Sequence, residues 1–184
     1  NDFSINLSDE ISESDIESSI EKLIVKGESD ELEFKSSLKW CLRENRADKK
    51  LESIIMKSIA AFSNGHGGTL LIGVNDNGEV IGLKNDFSIL GNNRDGFELH
   101  LRELIKKNFK ETFATNNIKI TFCTIQSGEV CVLQVKRGYE PVYIEVQDKT
   151  GNKTNKLYVR SGNSSIEIPI EEVSKFLSNR FTIK

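Results

Sequence analysis

Two stretches carry side chains whose types and spacing could act on a phosphodiester. The first is ESDELEFKSS, residues 28–37, where Glu28, Asp30, Glu31 and Glu33 precede Lys35. Like charges this close repel, so either water screens them or a cation sits among them. Glu33 and Lys35 are two apart and share one face of a strand. Many metal nucleases place a metal ligand beside a phosphate-contacting lysine in this way. The plainer alternative is a surface ion pair worth at most about 1 kcal/mol. A candidate third acid, Asp76, comes later, although Asp76-Asn77-Gly78 is itself a hairpin-turn signal.

The second stretch is basic. Lys35, Lys39, Arg43, Arg46, Lys49 and Lys50 surround Trp40. Such a surface suits a nucleic-acid backbone with one stacked base; the alternative is a solvated loop. SNGHGG at 63–68 has the look of a phosphate loop, yet the predicted order is helix, loop, strand. A phosphate loop needs a helix N-terminus, and this loop follows a C-terminus, the negative end. Its glycines are expected to give a sharp turn and close packing. His66 reads as a turn residue or a general base, and His100 as structural. Cys41, Cys123 and Cys131 form no CxxC pair, so reduced thiols are expected rather than a disulfide framework or a zinc site.

These groups need a scaffold, and 184 residues suffice for one domain with a real core. Hydrophobic content of 37% and charged content of 29% fit a soluble globular protein, with no apolar run of membrane-spanning length and no visible signal peptide. A cytoplasmic location is expected. The chain begins at Asn1 without methionine and reads as a piece of something longer. The net charge of -3 hides an asymmetry. Residues 1–33 carry eleven acids and two lysines, while the remainder carries seventeen acids and twenty-three bases. The body is therefore basic and compatible with a nucleic-acid partner.

Residues 1–13 are expected to be a loosely ordered acidic leader, with the domain spanning 14–184. Ile16, Ile20, Leu23 and Ile24 predict a helix ended by Gly27. A strand is predicted at 31–37 with Glu31, Glu33 and Lys35 on a wet face and Leu32 and Phe34 inward. A helix at 51–64 leads to a strand at 69–75, the turn at 76–78 and a returning strand EVIGL at 79–83. A helix at 94–110 precedes strands at 118–126 and 129–137 around Ser127-Gly128. Strands at 142–146 and 156–160 and a helix at about 170–180 complete an α+β fold with a mixed or antiparallel sheet.

Taken in order, ESDELEFKSS, AAFSNGHGGTLLIGVNDNGEVIGL and LYVRSGNSS resemble the Schlafen AlbA_2 domain over roughly residues 28–165. The resemblance implies nucleic-acid binding, with ATP-binding or regulatory roles in bacterial members. In the vertebrate ribonucleases of the family the same motifs carry three carboxylates that cut tRNA and rRNA with a divalent metal. Carried over, those acids fall on Glu28, Glu33 and Asp76, with Lys35 and Arg160 matching the lysine and arginine of the motifs. Mg²⁺ or Mn²⁺ suits such hard oxygen ligands. One lobe is present where the vertebrate enzymes pair two, so a homodimer is expected, and the ligands of their zinc finger are missing. Three readings follow: a metal-dependent endoribonuclease on tRNA-like RNA in defence or stress, a non-catalytic RNA- or DNA-binding module of a larger protein, and an ATP-binding sensor.

Overall fold

The computed structural model describes residues 12–147 and 150–181; the expected acidic leader lies outside these except for Ser12 and Glu13. Ser12 caps the first helix, α1 (Glu13–Lys26), by accepting from the Asp15 amide, and Gly27 ends it at φ 77°. The central sheet has four strands, β1 (Leu32–Lys35), β4 (Gly67–Ile72), β5 (Ile118–Ile125) and β6 (Gly128–Lys136), in the order β1-β4-β6-β5. β1 runs parallel to β4, with Glu33 opposite Leu70, and the other pairs are antiparallel. The sheet is mixed, as expected.

Alternation along these strands sorts apolar residues to two covered faces. Leu32, Phe34, Leu71, Val130 and Val132 pack with Ile20 of α1. Leu70, Ile72, Cys131, Leu133 and Val135 pack with Ile55, Ile59 and Phe62 of α2 (Lys49–Asn64) and with Phe97 and Leu101 of α4 (Arg94–Asn117). Glu33 therefore does not lie on a wet face. It points toward α2 and is 6% exposed. A four-residue strand cannot reveal that both of its sides will be covered.

Other elements depart from expectation. The basic segment contains a small hairpin, β2 (Trp40–Cys41) with β3 (Arg46–Ala47). EVIGL does not return as a strand; only a single bridge joins Val74 to Val80, and the chain enters a short helix, α3 (Lys84–Ile89). α4 extends past 110 and breaks at Lys110, where φ is 69°. The turn between β5 and β6 is at Gln126-Ser127, both at positive φ, as a two-residue hairpin of primed type requires. The predicted strand at 156–160 divides at Leu157. β8 (Lys153–Lys156) pairs with β7 (Ile144–Gln147), and β9 (Tyr158–Ser161) pairs with β10 (Ser164–Glu167) and packs on α2. The last helix is α5 (Ile170–Phe181). No helix among the described residues is long and apolar enough to cross a membrane.

Candidate nucleic-acid interface

β1 is an edge strand, and its outer side is closed by side chains. The Phe34 amide donates to Oε1 of Glu28 at 2.8 Å, and the Phe34 carbonyl accepts from Nζ of Lys35 at 2.7 Å. One acid and one lysine thus take the place of a neighbouring strand, which protects the edge from unwanted pairing. The same Lys35 ammonium lies 2.7 Å from Oε1 of Glu33.

Glu33 is the centre of a charged cluster. Its Oε1 also accepts from Ser58 of α2 at 3.0 Å, and its Oε2 accepts from Nη1 of Arg160 at 2.5 Å. Arg160 comes from β9, donates through Nη2 to the Ser29 carbonyl at 2.7 Å, and stacks over the Phe62 ring at 4.9 Å. It thereby ties β9 to α2 and to the turn before β1. A buried carboxylate needs this many partners, because desolvation of an unpaired charge is costly.

Asp76 is exposed on the turn after β4, beyond the strand end that lies beside Lys35. Asn75 organises that turn: its Oδ1 accepts from the amides of Asn77 and Glu79, at 3.0 and 2.9 Å. No group of three His, Cys, Asp or Glu side chains that could hold a metal occurs among the described residues. Both lone pairs of Glu33 Oε1 are already used by Lys35 and Ser58. In this arrangement the oxygens of Glu33 face Lys35, Ser58 and Arg160.

His66 is exposed and lines a shallow depression with Glu28, Asp30, Glu31 and Asn163. The loop holding it follows a helix and precedes a strand, as its sequence order indicated. A Cβ on Gly68 would strike the Phe62 ring and the Glu31 carbonyl, so close packing explains that glycine. His100 bonds Glu52 at 2.7 Å, beside Lys39 at 3.1 Å from the same oxygen.

The basic residues divide into two groups. Lys35 and Lys39 are engaged with Glu33 and Glu52. Arg43 and Arg46, on the β2–β3 hairpin, have side chains 87% and 63% exposed and share Glu44. Lys49 and Lys50 are exposed at the start of α2, where Asp48 caps the helix by accepting from the Lys50 amide.

The base of this hairpin rests on Asp86, a residue the sequence gave no reason to single out. Its carboxylate is 1% exposed and accepts from the Ser37 hydroxyl and from the amides of Leu38, Lys39 and Trp40, each amide at 2.9 Å. Three successive amides around one anion form a nest. The signal in the sequence is only a lone Asp in NDFS, which ordinary helix-start residues imitate. Arg180 was also missed. From α5 it donates to the carbonyls of Asn64 and Gly65 at the α2 C-terminus and to that of Gly138. A cation there complements the negative end of the helix.

The fold has relatives. A crystal structure of the DIP2311 protein from Corynebacterium diphtheriae superposes with a TM-score of 0.54 at 17% identity, covering 84% of this chain. The match spans 28% of that much longer chain. The family profile described as Schlafen, AlbA_2 matches residues 28–169, the region that runs from Glu28 through the Arg160 cluster to the end of β10. The chain belongs to the Schlafen AlbA_2 family.

Proposed function

We propose that this domain binds nucleic acid, RNA or DNA, through the β2–β3 hairpin and the start of α2, and that it serves as the binding module of a larger protein. The observation that carries this reading is the hairpin itself. Asp86 pins its base through buried hydrogen bonds, while Arg43, Arg46, Lys49 and Lys50 stand in solvent. A rigid mount holding solvent-exposed cations loses little entropy when it meets a phosphate backbone. Binding is expected to be salt-sensitive. Each phosphate contact removed should lower the salt slope by about 0.7 on a single strand. The test is a fluorescence titration of labelled RNA and DNA strands across salt concentrations. Replacing Arg43 and Lys50 by alanine should weaken binding and flatten the slope. Wild-type protein that binds neither polymer at low salt overturns the reading.

A second reading is supported by the meeting of Glu28, Glu33 and Lys35 around Phe34. It is cleavage of tRNA-like RNA with Mg²⁺ or Mn²⁺, using Glu28, Glu33 and Asp76 as ligands. It requires Glu33 to release Lys35 or Arg160 and Asp76 to leave its turn. A homodimer would supply the second lobe of a groove. Incubation with total tRNA and Mn²⁺ tests it: cleavage by wild type that Glu33→Gln abolishes supports it, and intact tRNA rejects it.

A further inference from the structure

A wide concavity lies away from the Glu33 cluster and the basic hairpin. It has a volume of about 730 Å³, opens to solvent, and lies between the C-terminal half of α4 and the 138–143 loop. That size falls within the range of about 300–1,000 Å³ typical of ligand clefts. Its walls offer Phe113, Tyr139, Tyr143 and the amides Asn116, Asn117 and Asn155.

Three features show that this cleft is built. The loop is clamped at both ends. The Gly138 amide donates to the Ser63 carbonyl at 2.9 Å while its carbonyl accepts from Arg180 at 3.1 Å. Asn64 grips Val142 in both directions, accepting from its amide at 2.9 Å and donating to its carbonyl at 2.8 Å. Between these clamps Tyr139 is 92% exposed, so its ring adds almost nothing to the core. Opposite, Lys110 breaks α4 at φ 69°, a conformation costly for a residue with a Cβ. Strain on one lip and an exposed aromatic on a clamped loop at the other are signs of a recognition cleft.

We infer that this cleft takes an unpaired base of single-stranded nucleic acid, stacked on Tyr139 and flanked by Tyr143, with the asparagine amides facing its polar edge. The inference rests on the nucleic-acid reading above and adds a second, base-contacting site to it. Every base has a face that stacks on an aromatic ring, so sequence tolerance is expected from Tyr139. Asparagine carries a donor and an acceptor and can pair with a base edge. Lys110 and Arg137 are exposed beside the cleft and suit the flanking phosphates, with Glu140 as an acid among them. A duplex buries its base faces and is excluded.

The experiment measures binding of a labelled twelve-nucleotide RNA, with free AMP and inorganic polyphosphate as competitors. Tyr139→Ala should raise the Kd by about tenfold with an unchanged salt slope, because it removes stacking and no charge. Tyr139→Phe should keep wild-type affinity. Melting temperatures should stay equal, since the ring is in solvent. Equal binding by Tyr139→Ala and wild type overturns the inference while the hairpin reading stands. AMP competing as well as the strand on a nucleotide basis overturns the assignment to a polymer. No strand binding by wild type overturns both readings.

Discussion

Arg160 Nη1 lies 2.5 Å from Oε2 of Glu33 across 127 positions of chain, and the two side chains are only 3% and 8% exposed. This contact joins β9 to β1 with α2 between them. Such a pair adds little net stability, but losing Arg160 leaves Oε2 of Glu33 without its partner while Lys35 and Ser58 still hold Oε1. Arg160→Ala should cost roughly 2–3 kcal/mol in urea unfolding. Adding Glu33→Gln to that variant should recover part of the loss, and additive losses would show that the two side chains do not act together.

Removing the Asp86 carboxylate leaves the Leu38 and Lys39 amides and the Ser37 hydroxyl without their acceptor, while the Trp40 amide keeps Ser37 Oγ at 2.8 Å. Each unsatisfied group costs about 1–3 kcal/mol. Asp86→Ala should therefore destabilise the fold by at least about 3 kcal/mol. Hydrogen exchange should speed at Leu38 and Lys39 beyond the change elsewhere. Uniform exchange across the chain would count against a local anchor.

Arg180→Ala should release α5. Its contact with α2 is polar at this point, no residue of α5 is fully buried, and burial lowers the Arg180 pKa while Arg137 adds to that effect. Loss of the charged hydrogen bonds should cost about 2 kcal/mol and open the 168–170 connection to protease. An unchanged cleavage pattern would mean that the partly buried face of α5 holds by itself.

Burial pushes the Cys123 thiol up to about 11 from 9.0, with Glu17 adding to the shift and Arg94 opposing it. Burial also raises Cys131. The folded state therefore prefers the neutral thiols. That stability is complete below pH 9 and is lost as pH climbs through 9 toward 11. The wild-type melting temperature should fall more steeply over this window than that of the Cys123→Ala, Cys131→Ala variant. Parallel curves would refute the assignment.

The strongest periodic signals survived folding. Ile16, Ile20, Leu23 and Ile24 do face the sheet from α1, and the alternating strands at 118–125 and 128–136 pair as a hairpin. These segments were legible because burial on one side leaves a pattern within a few neighbouring residues. The β2–β3 and β9–β10 hairpins were not, since strands of two to four residues hold too little pattern, and the polar run before Tyr158 belongs to a different hairpin from the one after it.

Residue type alone settled which side chains carry charge: the acids around β1, the lysines and arginines of the 35–50 segment, and Arg160 in its motif. Their roles depended on neighbours that are remote in the chain. Glu33 became a buried hub because α2 and β9 cover its face, Glu28 became an edge seal because β1 has one neighbour, and Asp76 stayed in water because its turn projects past β4. Burial and pairing arise from long-range packing, and no local window of sequence contains the partner that Arg160, Asp86 or Arg180 supplies.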